Sequence, residues 1–218
     1  MRKLTATSYA ILGLLALRPW SAYELTKQVR RSLRFCWPRA ETRLYQEPKN
    51  LVEHGLVKAT TTANGRRSRT EYAITAKGRK ALRAWLGEPS APPRLESEAL
   101  LRLFFAEHGT TEDLLATLAQ VEAQALAQRE QAVAQATEYL AGSAPFPERL
   151  HILGLVGQFT LDHTALLAEW ARWAWAEVER WPDVGTAEVS PDVVRAFEAA
   201  AAGAAAVGAE GAGADCPP

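Results

Sequence analysis

Sulfur is scarce in this 218-residue chain, which has two cysteines and one methionine. Cys36 and Cys216 stand far apart and share no C-x-x-C or Cys/His ligand spacing. Neither a disulfide framework nor a zinc site is therefore expected, and a reduced, cytoplasmic chain is the simpler reading. The four histidines are scattered, and no metal or other cofactor is predicted. No apolar run approaches the roughly 20 residues needed to cross a bilayer, so no membrane partner is expected. Met1-Arg2-Lys3 followed by an apolar stretch imitates a signal peptide. That stretch runs into Arg18-Pro19-Trp20 with no small-x-small cleavage site, and a buried first helix is predicted instead. G-x-S-x-G, H-E-x-x-H, Walker and dinucleotide fingerprints are missing, so an enzyme is not expected. His163, near Asp162 and Glu169, reads as a solvated or interface group rather than a general base.

A net charge of zero conceals a division by position. Residues 1–88 carry 18 Lys and Arg against 6 Asp and Glu, and residues 89–218 carry 7 against 19. A module with a net charge of +12 is the electrostatic footprint of a phosphate-binding domain, since Lys and Arg displace counterions from nucleic acid. The plain alternative is a solubilising cationic surface.

Within the basic module, Thr7 or Ser8 is placed to cap a first helix reaching Leu17, apolar on almost every face and hence central. Arg18-Pro19 ends it. Ser21 and Glu24 form an S-x-x-E start for a second helix, with Tyr23, Leu25 and Val29 predicted inward and Lys27, Arg30, Arg31 and Arg34 outward. After a turn at residues 35–38, a third helix is predicted over 40–54, closed by Gly55 in the left-handed conformation. The period then shortens. Residues 56–62 and 68–75 read as strands about an Asn64-Gly65 hairpin turn, and Thr75 caps a helix over 76–86. Three helices and a hairpin make a winged helix-turn-helix with a two-stranded wing.

Residues 88–93 form a Pro-rich linker. Beyond it the sequence predicts an all-α dimerisation domain over 94–181, with a short helix at 96–107 and a long helix from 110 to about 140. The long helix carries two columns of seven-residue spacing: Ala119, Leu126, Val133 and Leu140, and Leu118, Ala125, Ala132 and Tyr139. A last helix over 148–181 is apolar on two sides. Leu153, Val156, Thr160, Leu167, Trp170 and Ala174 lie on one, and Ile152, Leu155, Phe159, Leu166 and Trp173 on the other. A helix apolar on two sides needs two covers, and a second copy of the chain is the expected second cover. Residues 183–218 are Ala/Gly-rich and read as a disordered tail with a frayed helix near 192–202. The fold class is thus mainly α.

Double-stranded DNA is the partner this pattern implies. On the third helix, Arg39, Thr42, Arg43, Tyr45, Gln46 and Lys49 are the candidate readers, because Arg forks to guanine and Gln to adenine. Arg66, Arg67 and Arg69 on the wing suit a phosphate ridge or minor groove, and Lys27, Arg30, Arg31 and Arg34 suit the backbone. A second candidate site is aromatic: Phe104, Phe105, Phe159, Trp170 and Trp173 could stack on a small planar effector, or simply form interface core.

These residues carry a family resemblance. Tyr9-Ala10-Ile11-Leu12-Gly13-Leu14-Leu15, Ala22-Tyr23-Glu24-Leu25, Leu44-Tyr45, residues 51–57 (LVEHGLV) and residues 69–75 (RTEYAIT) with Gly78 together resemble the PadR-like transcriptional regulators over residues 5–88. The resemblance implies a homodimeric repressor on a pseudo-palindromic operator, released by a small aromatic molecule. Ala22 stands where the family usually has glycine. Pro48 falls inside the third helix, where a kink or a late restart is expected. The alternative reading is a winged-helix protein-interaction adaptor that docks a partner on its acidic helical half.

Overall fold

The computed structural model describes residues 3–33, 35–38, 40–64, 67–185 and 188–211. They form two compact units, 1–94 and 95–218.

The first unit is built around α1 (Ala6–Leu17). Its cap is Thr5, not Thr7 or Ser8, and Thr5 shares a reciprocal capping box with Ser8. Ile11, Leu12, Leu14 and Leu15 are buried because α1 touches three neighbours: α3 (Glu41–Glu53), β3 (Arg67–Ile74) and α4 (Ala76–Leu86). Each such side chain stabilises the core by about 1.5–3 kcal/mol. The chain leaves α1 at Arg18, whose guanidinium lies 3.6 Å above the Trp20 ring, and Trp20 Nε1 donates to the Leu14 carbonyl at 3.0 Å. Trp20–Ser21 forms a short strand, β1, which the sequence pattern did not predict. Ser21 then caps α2 (Ala22–Ser32) through the expected capping box with Glu24. Leu25 and Val29 are buried, whereas Tyr23 is exposed, contrary to its predicted inward place.

Helix α3 is continuous through Pro48, so the late restart offered as one expectation there does not occur. It closes at Gly55, whose φ of +68° is the left-handed conformation that glycine adopts without strain. Gly55 N–H donates to the Val52 carbonyl and Leu56 N–H to the Leu51 carbonyl. This paired closure comes with burial of Leu51 and Leu56. The strands β2 (Val57–Asn64) and β3 pair antiparallel from Val57↔Ile74 to Asn64↔Arg67. Gly65 of the Asn64-Gly65 turn predicted between them lies outside the described residues. β1 adds to β3 on its other side, making a three-stranded antiparallel sheet in the order β1-β3-β2. Thr75 caps α4 as expected. A Cβ on Gly78 would meet the Leu56 carbonyl oxygen at 2.2 Å, so α4 can approach the sheet this closely only with glycine there.

The second unit begins with α5 (Glu98–Phe104), shorter than predicted, and a 3-10 turn over Ala106–His108. Thr110 caps α6 (Thr111–Leu140) in a box with Asp113. A tight return contains Gly142 at φ +70° and Phe146 at φ +62°, and leads to α7 (Leu150–Val178). Of the two columns on α6, Leu118 and Ala125 are buried and Ala132 and Tyr139 half-buried, whereas Ala119, Leu126, Val133 and Leu140 are exposed. The seam toward α7 is narrow: Thr164, Ala168, Ala171 and Ala174 are its buried positions there. The larger apolar cluster sits at one end, where Leu114, Leu118, Ala174 and Val178 gather Trp170, Trp175 and Trp181 around them. Where a disordered tail with a frayed helix was predicted, α8 spans Pro191–Gly211, started by Ser190, whose Oγ accepts from Val193 N–H. Glu177, Arg180, Asp192 and Arg195 link the end of α7 to the start of α8 by ion pairs.

Candidate nucleic-acid interface

Helix α3 has two opposed stripes. Leu44, Glu47, Pro48 and Leu51 are buried, while Thr42, Tyr45, Gln46 and Lys49 are exposed. Each set has the spacing i, i+3, i+4, i+7 of one helical face. Arg43 is exposed beside the outer stripe. The sequence named Thr42, Arg43, Tyr45, Gln46 and Lys49 as readers; all five are exposed, and all but Arg43 share one face of α3. Arg34, Arg39 and Arg66 and the side chain of Arg67 lie outside the described residues; the backbone of Arg67 pairs with Asn64.

Helix α2 presents Lys27, Arg30 and Arg31, all exposed. Two of the candidate guanidiniums are already held by carboxylates. Arg30 Nη1 lies 2.6 Å from Glu41 Oε1, and Arg69 Nη2 lies 2.8 Å from Glu24 Oε2. Glu24 works twice, because Oε2 also accepts from Ser21 N–H at 2.9 Å and Ser21 Oγ at 2.7 Å. Those hydrogen bonds, the backbone one foremost and Arg69 after them, hold its pKa below the ordinary 4.5. The residues the sequence reading missed are thus Glu24 and Glu41, as the acceptors that orient Arg69 and Arg30. The Ser21-x-x-Glu24 spacing signalled only the cap.

Not every cation of the basic module faces outward for a ligand. Lys77 Nζ donates to the His54 carbonyl at 2.9 Å, and Arg79 Nη1 to the Ala16 carbonyl at 3.3 Å. They serve the unpaired C-terminal ends of α3 and α1. The charge excess read from the sequence is therefore partly structural. The turn before α3 is tied to α1 by Trp37 Nε1, which donates to Thr7 Oγ1 at 3.1 Å.

In the second unit the five aromatic candidates do not converge. Trp170 packs on the Leu114–Val178 cluster. Phe104 and Phe105 make an edge-to-face pair at 5.0 Å and are exposed. Phe159 stacks on His163 at 5.8 Å, while Trp173 lies 14 residues farther along α7, about 21 Å at 1.5 Å per residue. An open groove of about 410 Å³ between α5 and the start of α6 includes Phe105, but none of the other four. Among the described residues, no group of three metal-ligating side chains occurs, and no helix is long and apolar enough to cross a membrane.

Comparison with known proteins places these features. Residues 11–84 match the sequence profile of the Transcriptional regulator PadR-like family. The chain is 33% identical over 90 residues to the "Probable transcriptional regulator Rv1176c" of Mycobacterium tuberculosis, a match covering 41% of this chain and 48% of that protein. It is 30% identical over 99 residues to the "Negative transcriptional regulator PadR" of Bacillus subtilis, covering 44% and 54%. The match thus spans about half the length of these relatives. In three dimensions the chain is similar to Bacillus subtilis PadR in complex with operator DNA. The TM-score is 0.68 at 22% identity, over 80% of this chain and 99% of that one. The same protein in complex with p-coumaric acid gives 0.63 at 21%, over 81% and 100%. At such identities the likeness establishes the fold: mainly helical, with a winged helix-turn-helix.

Proposed function

We propose that this chain, whose residues 11–84 match the PadR-like family of transcriptional regulators, is a homodimeric DNA-binding regulator that represses transcription from a pseudo-palindromic operator and is released by a small aromatic effector. The observation that carries this reading is the outer stripe of α3, with Thr42, Tyr45, Gln46 and Lys49 exposed on one face. A helix presenting that face fits a major groove, where Gln46 can bond adenine N6 and N7 and Arg43 guanine O6 and N7. Lys27, Arg30, Arg31 and Arg69 then hold phosphates and fix the register. Arg30 and Arg69 meet DNA from exposed ion pairs worth about 0–1 kcal/mol, which a phosphate can displace.

The homodimer is supported by what a single chain leaves bare. Leu126, Val133 and Leu140 on α6, and Ile152, Leu155, Phe159, Leu166 and Trp173 on α7, are exposed. A contiguous apolar stripe of this length marks an interaction surface. Repression is supported by the Bacillus subtilis relative, a negative transcriptional regulator. An aromatic effector is supported by the complex of that protein with p-coumaric acid. In this chain, an effector site using Phe104, Phe105, Phe159 or Trp173 would need a second copy to bring them together. The chain's work is binding, in the cytoplasm where DNA is reached, and no catalytic step is assigned to it.

Fluorescence anisotropy with the chain's own upstream promoter DNA, against scrambled DNA, tests the reading. A preference on the order of a thousandfold is expected, weakening steeply as salt rises. Equal, weak binding to both would sink it, and would favour an adaptor that docks a protein on its acidic helical half.

A further inference from the structure

The middle of α3 is where its own backbone support is interrupted. Pro48 has no N–H to give the Leu44 carbonyl, and a proline ring crowds the carbonyl four residues before it. Pro48 is nonetheless buried inside a continuous helix. Side-chain hydrogen bonds hold the helix beside that turn. Glu47 has no exposed surface, and its Oε1 accepts from Ser8 Oγ at 2.6 Å and from Asn50 Nδ2 at 3.0 Å. The Glu47–Asn50 bond spans residues 47–50, next to the turn over residues 44–48 that Pro48 leaves without its backbone bond. Ser8 is itself oriented, because its Oγ accepts Thr5 N–H at 2.9 Å in the cap of α1. A chain of hydrogen bonds therefore runs from the first turn of α1 to the centre of α3.

Resting on the DNA-reading role proposed for α3, we infer that Glu47 is a positioning residue for sequence recognition. Its buried carboxyl group ties the centre of α3 to Ser8 in the first turn of α1 and sets the roll of α3 on α1. Tyr45, Gln46 and Lys49 lie on the face opposite Glu47, so the roll decides where they point. Base-edge contacts need their donors held within about 0.5 Å and 10–20°, whereas phosphate contacts carry little sequence information and tolerate displacement. Loss of Glu47 should therefore reduce discrimination between sequences more than total affinity for DNA.

The test uses the full chain with Glu47→Ala, Glu47→Gln, Ser8→Ala and the double variant Glu47→Ala/Pro48→Ala. Two readouts are taken: amide hydrogen exchange of α3 without DNA, and the ratio of promoter to scrambled binding. Leaving a buried hydrogen-bonding group without its partner costs about tenfold or more in an equilibrium. Glu47→Ala should accordingly speed exchange in residues 49–53 and cut discrimination, each by about tenfold or more, while exchange in residues 11–15 and binding to scrambled DNA stay near wild type. Glu47→Gln, which keeps an acceptor for Ser8 and Asn50, should retain most of both, and Ser8→Ala should fall between. Restoring the backbone donor in the double variant should recover α3 protection. Glu47→Ala with unchanged exchange and discrimination overturns the inference, as does a loss spread equally over α1. If Glu47→Ala does not fold, Ser8→Ala decides by the same two readouts. A wild-type chain that fails to discriminate any DNA removes the DNA reading, and this role with it. Intact wild-type discrimination that survives Glu47→Ala removes this inference alone.

Discussion

In the winged domain the core is made of large apolar side chains. Ile11, Leu12, Leu25 and Leu51 have no exposed surface, and the buried polar groups among them, Ser8 and Glu47, are bonded to each other. In the helical domain the order is reversed: alanines line much of the buried seam, while Leu155, Phe159 and Leu166 are more than half exposed. The first unit closes a core with the residues it has. The second has more apolar surface than two long helices can cover in one chain. The difference separates two kinds of stability. On the homodimer proposed above, one belongs to the chain alone and the other depends on protomer concentration.

The comparison breaks most directly at the bare face of α7. Phe159→Glu with Leu166→Glu should weaken self-association by more than about a hundredfold, read by sedimentation, with the winged domain's exchange protection unchanged. A double variant that sediments as wild type would mean that this face is not the interface. Matched truncations sharpen the contrast. Leu12→Ala should cost about 2–5 kcal/mol at any protein concentration. Leu155→Ala should cost little in dilute chain and lower the melting temperature mainly where the dimer forms. Equal, concentration-independent losses in denaturant melts would erase the distinction. Gly78→Ala drives a Cβ into the Leu56 carbonyl and should destabilise the winged domain by about 3 kcal/mol, toward the upper end for overpacking. A melt within experimental error of wild type would contradict the close approach of α4.

The smallest effect is electrostatic. The pKa of Glu24 is lowered in the folded state, so its charge stabilises the fold above the ordinary value of 4.5 and ceases to do so as pH falls through the lowered folded value. Glutamine can still serve the cap of α2. The advantage of wild type over Glu24→Gln should therefore stay below about 1 kcal/mol near neutrality and shrink toward zero in acid. Unfolding curves at several pH values would show it, and an advantage that grew in acid would contradict the assignment.

Local chemistry made much of this legible in the sequence. Ser21 with Glu24, Gly55 and Thr75 each perform the capping or closing task that their residue type allows, because those tasks need only neighbouring backbone. The outer stripe of α3 was legible because exposure follows the helical period. What the sequence concealed depends on partners far along the chain. A two-residue strand at Trp20–Ser21 has no period, and it exists because β3 offers an edge. Nothing near Glu47 in the sequence marks it as buried, because its partner Ser8 stands 39 residues earlier. Tyr23 shared the apolar pattern of Leu25 and Val29, yet it lies outside. The two columns of α6 were equivalent as spacing, and only the position of α7 turned one inward. The aromatic candidates shared composition but not place.

The alanine seam between α6 and α7 has one more consequence. Away from the Leu114–Val178 end, surfaces of Ala125, Ala168 and Ala171 offer few knobs to resist sliding. Polar ties act there as indexing pins: Arg129 Nη1 donates to the Leu161 carbonyl at 3.1 Å, and Arg172 Nε lies 3.2 Å from Glu122. Such exposed ties contribute little energy, yet a smooth track needs only a light stop. Along this hairpin the arginines fix how far α7 can slide on α6.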